Sequence, residues 1–411
     1  MDVLKIIFSF LIILFPLGEL ARIQIGNGIA FTLNDILVGC TICTWAILKI
    51  RKRNTLTVIP FKPFLLFILV GFISLVIHSR FLYITQFIVS LLYLIRWILY
   101  TCLLFVTAEF LEPFKKRIPK LLLISGTVFV IIGYLQYIFY QDLHNLFFLG
   151  WDEHMYRLFS SLLDPNFTGA FLMFFTIFLY GMIIISIQTK NKKNTILLLL
   201  LTIVTILALL LTYSRSAYLS FLVSSIVFFV LIGKKKIIPG LIAAMLIFII
   251  IISRNFNIEN INLFRVVSTE ARIETAQNAI QIIQKNPLIG VGFNSYKYAQ
   301  IRYGFRDQRN AITSHADAGS DNSYLFVFAT TGILGFMCYS FIWLKIAKSL
   351  LKNKNAGNFQ RIFSIIALAS MSGIFLNAMF INSLFYPFTM EWIWIMLGLA
   401  LSKRTKVRES R

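Results

Sequence analysis

Twelve apolar runs, each near the length of a membrane crossing, follow one another along the chain and leave little room for any other kind of fold. They fall at 4–20, 31–48, 61–79, 84–108, 120–140, 167–188, 195–212, 216–233, 237–252, 323–344, 362–382 and 385–402. A helix crosses the hydrocarbon core in about 20 residues, and there each backbone N–H and C=O must be bonded within the element itself. The expectation is an all-α polytopic membrane protein of about twelve transmembrane helices, forming one membrane domain over 1–411. Composition agrees. Of the 411 residues, 58% are hydrophobic and 14% charged, with mean hydropathy +0.80, whereas soluble domains carry roughly 45–50% apolar and about 25% charged residues. So much apolar surface excludes a soluble enzyme.

The net charge of +22 would point to nucleic acid in a soluble chain. Its distribution gives a different reason. With the N-terminus placed in the cytoplasm and sides alternated through the twelve runs, 26 of the 39 Lys and Arg residues fall on the cytoplasmic side, 12 fall outside, and Arg96 lies within a span. That bias is what the positive-inside rule demands. It predicts a multi-pass plasma (inner) membrane protein with both termini cytoplasmic and no nucleic-acid partner. The first run lacks a small-x-small cleavage pair, since Glu19 and Ala21 would flank the site, and so reads as a span rather than a leader. The four cysteines, Cys40, Cys43, Cys102 and Cys338, all sit in apolar runs. Cys40 and Cys43 have C-x-x-C spacing but no βαβ context, so a redox role is not indicated.

Two connections, 141–166 and 253–322, exceed the about 12–15 residues beyond which a loop is usually functional or disordered. Both are expected on the outer face. In the longer one, 269–285 reads as a helix with Ser268 as N-cap, Glu270 and Glu274 in its first turns and Pro287 beyond its end. Ile273, Ala276, Ile280 and Ile283 form its apolar stripe, which predicts packing on the membrane domain or along its surface.

The outer-face cations differ in kind from the cytoplasmic ones. Ten of the 12 are Arg, while the cytoplasmic set is mostly Lys. The guanidinium fork binds phosphate oxygens in bidentate fashion and keeps its charge when partly desolvated, so an outer ligand bearing phosphate or carboxylate is indicated. The plain alternative is pairing with loop acids such as Asp152, Glu274 and Asp307. Arg215 occupies the tight turn between two strongly apolar runs, where headgroup snorkelling is the alternative reading. Arg272 falls in the first turn of the expected loop helix, where backbone N–H groups attract anions. Arg157 opens the loop that leads into the sixth run. Arg96 lies near mid-span, where an unpartnered charge costs roughly 2.5–3.5 kcal/mol. Glu391 is the acid expected at comparable depth, so an Arg96–Glu391 pair and a ligand role both stand open. Ahead of the tenth run, His315, Asp317 and Asp321 cluster. Their spacing matches no strong metal-ligand pattern, and no nucleotide motif occurs. Asp321 or His315 can serve as a general base at the membrane surface. Capping of the following helix is the structural alternative for Asp321.

These pieces, in order, resemble the O-antigen ligase/polymerase superfamily of integral-membrane glycosyltransferases. The matching residues are Arg157 with Asp164-Pro-Asn and Gly169, then Ser214-Arg215-Ser216, then Arg272 with Ala276 and Asn286-Pro-Leu-Ile-Gly-Val-Gly292. Asp321-Asn-Ser-Tyr-Leu and Thr331-Gly-Ile-Leu-Gly335 complete the set. The resemblance implies a GT-C-like fold and a glycan donor carried on undecaprenyl diphosphate. It implies transfer to an acceptor hydroxyl on the outer face, either lipid A core or another carrier-linked glycan, without cofactor, nucleotide sugar or metal. It also implies that Arg215 and Arg272 hold the diphosphate, with Arg157 joining them or binding glycan. One position departs from the ligase pattern. A histidine commonly precedes the Asn-x-Tyr-Leu stretch in ligases, whereas Asp321 stands here, as in polymerase-like relatives; this weighs toward polymer extension. Two rivals remain at the level of sequence: a twelve-span transporter or flippase of an anionic or lipid-linked substrate, with Arg96 and Glu391 along its path, and a peptidoglycan-type transglycosylase.

Overall fold

The computed structural model describes residues 2–26, 29–52, 61–110, 114–253, 267–306, 319–353 and 357–402. Among the described residues the chain is helical throughout except for one two-stranded hairpin. A helix occupies each of the twelve apolar runs: α1 (Asp2–Leu14), α2 (Leu33–Lys52), α3 (Lys62–His78), α4 (Ile84–Glu109), α5 (Ile118–Phe139), α6 (Pro165–Gln188), α7 (Lys192–Leu211), α8 (Arg215–Leu231), α9 (Ile238–Ser253), α12 (Ser323–Lys352), α13 (Asn358–Asn377) and α14 (Pro387–Leu401). Between α9 and α12 lie α10 (Val267–Lys285) and α11 (Tyr296–Arg302). Eight helices are long and apolar enough to cross a membrane, and α3, α8 and α14 form shorter apolar helices. The chain is a polytopic helical membrane protein.

Its surface fits that reading. Ile196, Leu199, Leu200, Ile203 and Leu207 along α7 are all exposed, as are similar faces of α3 and α5. Such faces suit lipid, not water. The interior is aromatic and close-packed: Trp392 of α14 sits edge-on to Phe171, Phe175 and Phe178 of α6, and Trp343 stacks on Trp394 at 5.0 Å. Where helices approach most closely, small residues meet. Buried Ser216, Ser220 and Ser224 of α8 repeat at one-turn spacing. A Cβ added to Gly373 of α13 would fall 2.9 Å from the Ser220 carbonyl oxygen, and one added to Gly169 of α6 would fall 2.4 Å from the Ala217 Cβ. Helices in lipid associate through such close backbone contacts rather than through hydrophobic burial.

Two features were not expected. The link between α1 and α2 is a hairpin, β1 (Arg22–Gly26) and β2 (Ile29–Thr32), paired antiparallel with Arg22 opposite Thr32. And α12 is broken at Gly332, whose φ is 65° and ψ −170°. The 286–292 segment fills the break. Val291 N–H donates to the Ala329 carbonyl (2.9 Å), Gly292 N–H to Thr330 (3.1 Å), and Ile333 N–H returns a bond to Pro287 (2.9 Å). Ser74 of α3 points its hydroxyl at the Ile289 and Thr330 carbonyls, 2.6 and 2.9 Å away. The backbone groups that the break exposes are thus bonded within the protein, the condition for irregular backbone at membrane depth. Only glycine serves at 332, because a Cβ there would stand 2.2 Å from the Leu288 carbonyl.

The loop helix α10 begins two residues before the expected start, so Ser268 lies inside it and does not cap it. The face it buries also differs. Ala279 and Ile282 are fully buried against Val291, Tyr296, Ala299, Phe326 and Ala329, whereas Ile273 and Ile280 of the expected stripe are 53% and 45% exposed. α10 packs on α12 and α11, and those neighbours select the Ala279–Ile282 side.

Candidate site at the outer ends of the helices

The N-termini of α6 and α8 are built as one unit. Asp164 caps α6, its Oδ1 accepting from the N–H groups of Asn166 (2.6 Å) and Phe167 (3.2 Å), with Pro165 at the first helical position. Aspartate in that role satisfies otherwise orphaned donors. Ser214 caps α8, accepting from the Ala217 N–H at 3.4 Å, and donates its own hydroxyl to Asn166 Oδ1 at 2.8 Å. Asn166 therefore fastens one cap to the other. Gly169, one turn into α6, leaves room for Ala217.

Arg157 holds this unit from inside the protein. Its side chain is 4% exposed, with Nε donating to the Thr212 carbonyl (2.9 Å) and Nη2 to that of Tyr213 (3.4 Å). These carbonyls end α7 and precede the turn that presents Arg215. Arg157 is thus a buried clamp on the turn that carries Arg215.

Arg215, the first residue of α8, stands close enough to Arg272 of α10 for their like charges to repel. Arg272 and Arg157 both act on Asp164, whose carboxyl burial pushes up in spite of the Phe167 and Asn166 N–H groups and those two cations. With α10 described from Val267, Arg272 occupies its second turn rather than its first.

The Asp321 region joins the same helix from another side. Asn322, not Asp321, caps α12, accepting from the N–H groups of Tyr324 (2.9 Å) and Leu325 (3.1 Å); the capping alternative for Asp321 is thereby removed. Buried Tyr296 of α11 has its hydroxyl pushed up by burial and then by the Asp321 charge. That hydroxyl donates to the Thr275 carbonyl of α10 at 3.4 Å, and the Thr275 hydroxyl donates to the Arg272 carbonyl at 3.0 Å. Hydrogen bonds thus run from Tyr296, on whose hydroxyl Asp321 acts electrostatically, to the Arg272 backbone carbonyl. His315 and Asp317 lie outside the described residues. Among the described residues no group of three His, Cys, Asp or Glu side chains is assembled that could hold a metal ion.

The intramembrane pair is not the expected one. Arg96 of α4 donates from Nη2 to Asp35 Oδ2 and to the Ala30 carbonyl, both at 2.8 Å, and Tyr100 donates to Asp35 Oδ1 at 3.1 Å. Glu391 instead accepts from Asn34 Nδ2 at 2.8 Å. The two charges find neighbouring residues at the start of α2 rather than each other. Depth along a helix misled here: the long arginine stem reaches outward from its own level to an acid at a helix end. Sequence reasoning also passed over Asn166 and Ser214, although both lay in the quoted motif stretches. Their role depends on α6 and α8 being neighbours, which no spacing reveals.

Residues 197–340 match the family described as O-antigen ligase. That stretch holds Ser214-Arg215-Ser216, Arg272, the 286–292 segment and Asp321, while Arg157 and Asp164 precede it. Over that stretch the chain is similar to the O-antigen ligase family. No curated protein matches it.

Proposed function

We propose that this O-antigen ligase-type chain is a glycosyltransferase that moves a glycan from an undecaprenyl diphosphate carrier to an acceptor hydroxyl at the outer face of the plasma membrane. The single observation that carries the reading is the approach of Arg215 and Arg272 from separate helices. Two like charges held together at the lip of a membrane domain favour a doubly anionic ligand between them, and a diphosphate meets that need with bidentate acceptors. In the proposed reaction the acceptor O–H gives its proton to the Asp321 carboxylate as its oxygen bonds to the anomeric carbon. The C–O bond to the carrier breaks as the new bond forms, and the diphosphate leaves with the electron pair. Guanidinium groups fixed where that charge develops stabilise the transition state, so no cofactor or metal is invoked. Asp321 in place of a histidine favours polymer extension over ligation to lipid A core. The transporter or flippase alternative draws on the broken helix α12, since transporters line their sites with such breaks. Here the break is occupied by the 286–292 backbone, which favours a structural role for it.

The test is a gel analysis of lipid-linked and surface glycan in a deletion strain complemented with variants. Polymerase activity predicts single glycan units stranded on the carrier in the deletion; ligase activity predicts full-length chains stranded there. Arg215→Ala is expected to lower turnover by about 100-fold or more, and Asp321→Asn to abolish it in protein that still inserts and folds. Normal surface glycan with Arg215→Ala and Arg272→Ala combined would overturn the proposal.

A further inference from the structure

The opposite end of the same helices carries a second cavity. It lies where α8 ends, α12 enters its last turns and α13 begins, and encloses about 330 Å³, within the roughly 300–1,000 Å³ of ligand pockets. α8 has 17 residues and so spans about 25 Å, which separates this cavity from Arg215 by most of a bilayer. Leucine and isoleucine side chains stand on several sides of it: Leu231, Leu350, Leu351, Ile365 and Leu368. Two polar groups break the lining, Arg361 and Ser364.

The charge around it has one sign. Lys348 sits one turn before Leu351 on the same face of α12, and Lys234, Lys235 and Lys236 follow the end of α8. No Asp or Glu occurs anywhere in 165–258 or 322–390, so α8, α12 and α13 bring cations to this end and no acid of their own. Among the described residues, none of the ion pairs includes Arg361. Arg361 also lies in the first turn of α13, whose N-cap, Gly357, offers no side-chain oxygen to the leading N–H groups; a helix start of this kind favours an anion. Ser364 accepts from Asn353 Nδ2 at 3.3 Å and keeps its own O–H to donate.

We infer that this cavity binds an anionic phospholipid, with Arg361 and Ser364 on the phosphate and the leucine side chains along the first acyl segments. The occupant is a lipid rather than a free anion because five Leu and Ile side chains stand beside Arg361 and Ser364 in the lining and one of them, Leu351, is 49% exposed and offers an apolar rim to acyl chains. It is anionic rather than zwitterionic because a headgroup ammonium would enter a field of cations only. Basic sites between helices on the cytoplasmic side bind such headgroups, and this is the side the charge distribution assigns to the cytoplasm.

The full chain, purified in detergent, would be examined by native mass spectrometry with phosphatidylglycerol and phosphatidylethanolamine of identical acyl chains. Phosphatidylglycerol should be retained about fivefold or more over phosphatidylethanolamine. Arg361→Gln should erase that preference, Arg361→Lys should keep most of it, and Ser364→Leu should lower retention of both lipids by filling the cavity. Arg272→Ala should leave retention unchanged, so a failure of the proposed outer-face chemistry would not disturb this result. Equal retention of the two lipids, an undiminished preference in Arg361→Gln, or displacement of the lipid by inorganic phosphate would overturn the inference.

Discussion

Arg157 and Arg215 stand at the same end of the helices, yet they differ in burial: Arg157 is buried and Arg215 half-buried. Arg157 donates to two carbonyls while nearly sealed from solvent, and bonds from a charged donor contribute about 1.5–3 kcal/mol each. Arg157→Ala is therefore expected to lower the apparent melting temperature of the detergent-solubilised protein, with activity lost as the turn loosens. Thermal melts that overlay the wild type would show that the clamp is dispensable. Asp164 offers a pH test. Its carboxyl is raised by burial above the ordinary value of about 3.9, so the folded state holds the proton more tightly than the unfolded one. Its stabilising share is then complete below the unfolded value and falls as pH rises through the folded value. Asparagine caps a helix nearly as well, so Asp164→Asn should melt at a temperature that declines less than the wild type between pH of about 4 and neutrality. Parallel curves would sink that account. Residue chemistry alone singled out the arginines at 215 and 272, and the structure brings the two within electrostatic range of each other. The partners of Arg96 were not legible in this way, because Ala30 and Asp35 come to it through a hairpin that the sequence did not announce.

At the scale of elements, the apolar runs located every long helix, since length and hydropathy are properties of a segment by itself. Which face a helix buries belongs to its neighbours. α10 has apolar residues on more than one side, and the 3.6-residue period could not choose between the Ile273–Ile280 face and the Ala279–Ile282 face. The break at Gly332 was hidden for a similar reason: a glycine in an apolar run is common, and only the arrival of Leu288 and Ile289 at that level explains it. The observed phase of α10 leads to a paired prediction. Ile282→Ala removes a fully buried side chain and should cost about 2–5 kcal/mol, loosening α10 and with it Arg272. Ile280→Ala, on the 45% exposed side, should change stability by about 0.5 kcal/mol or less. Glycan output and hydrogen exchange of the 267–285 segment would report both. A larger effect from Ile280 than from Ile282 would restore the face expected from sequence.

For the whole molecule, the two ends of the bundle differ in the kind of charge they carry, and that difference ties topology to chemistry. The end holding Arg215, Arg272 and Asp321 mixes arginines with buried and half-buried acids. The end holding Lys348, Lys352 and Arg361 has cations alone on α12 and α13. Lysine-rich ends resist translocation, whereas an arginine–acid end can be carried across and then partly desolvated around a ligand. The proposed transfer needs the first end outside, and the proposed lipid site needs the second end inside, so one orientation must satisfy both. In a variant lacking the four native cysteines, Leu149→Cys, at a position 52% exposed in the connection between α5 and α6, should react with a membrane-impermeant maleimide in intact cells. Lys352→Cys, at the far end of α12, should react only after the cells are opened. Inverted labelling would place the arginine end in the cytoplasm, and the proposed outer-face transfer would fall with it.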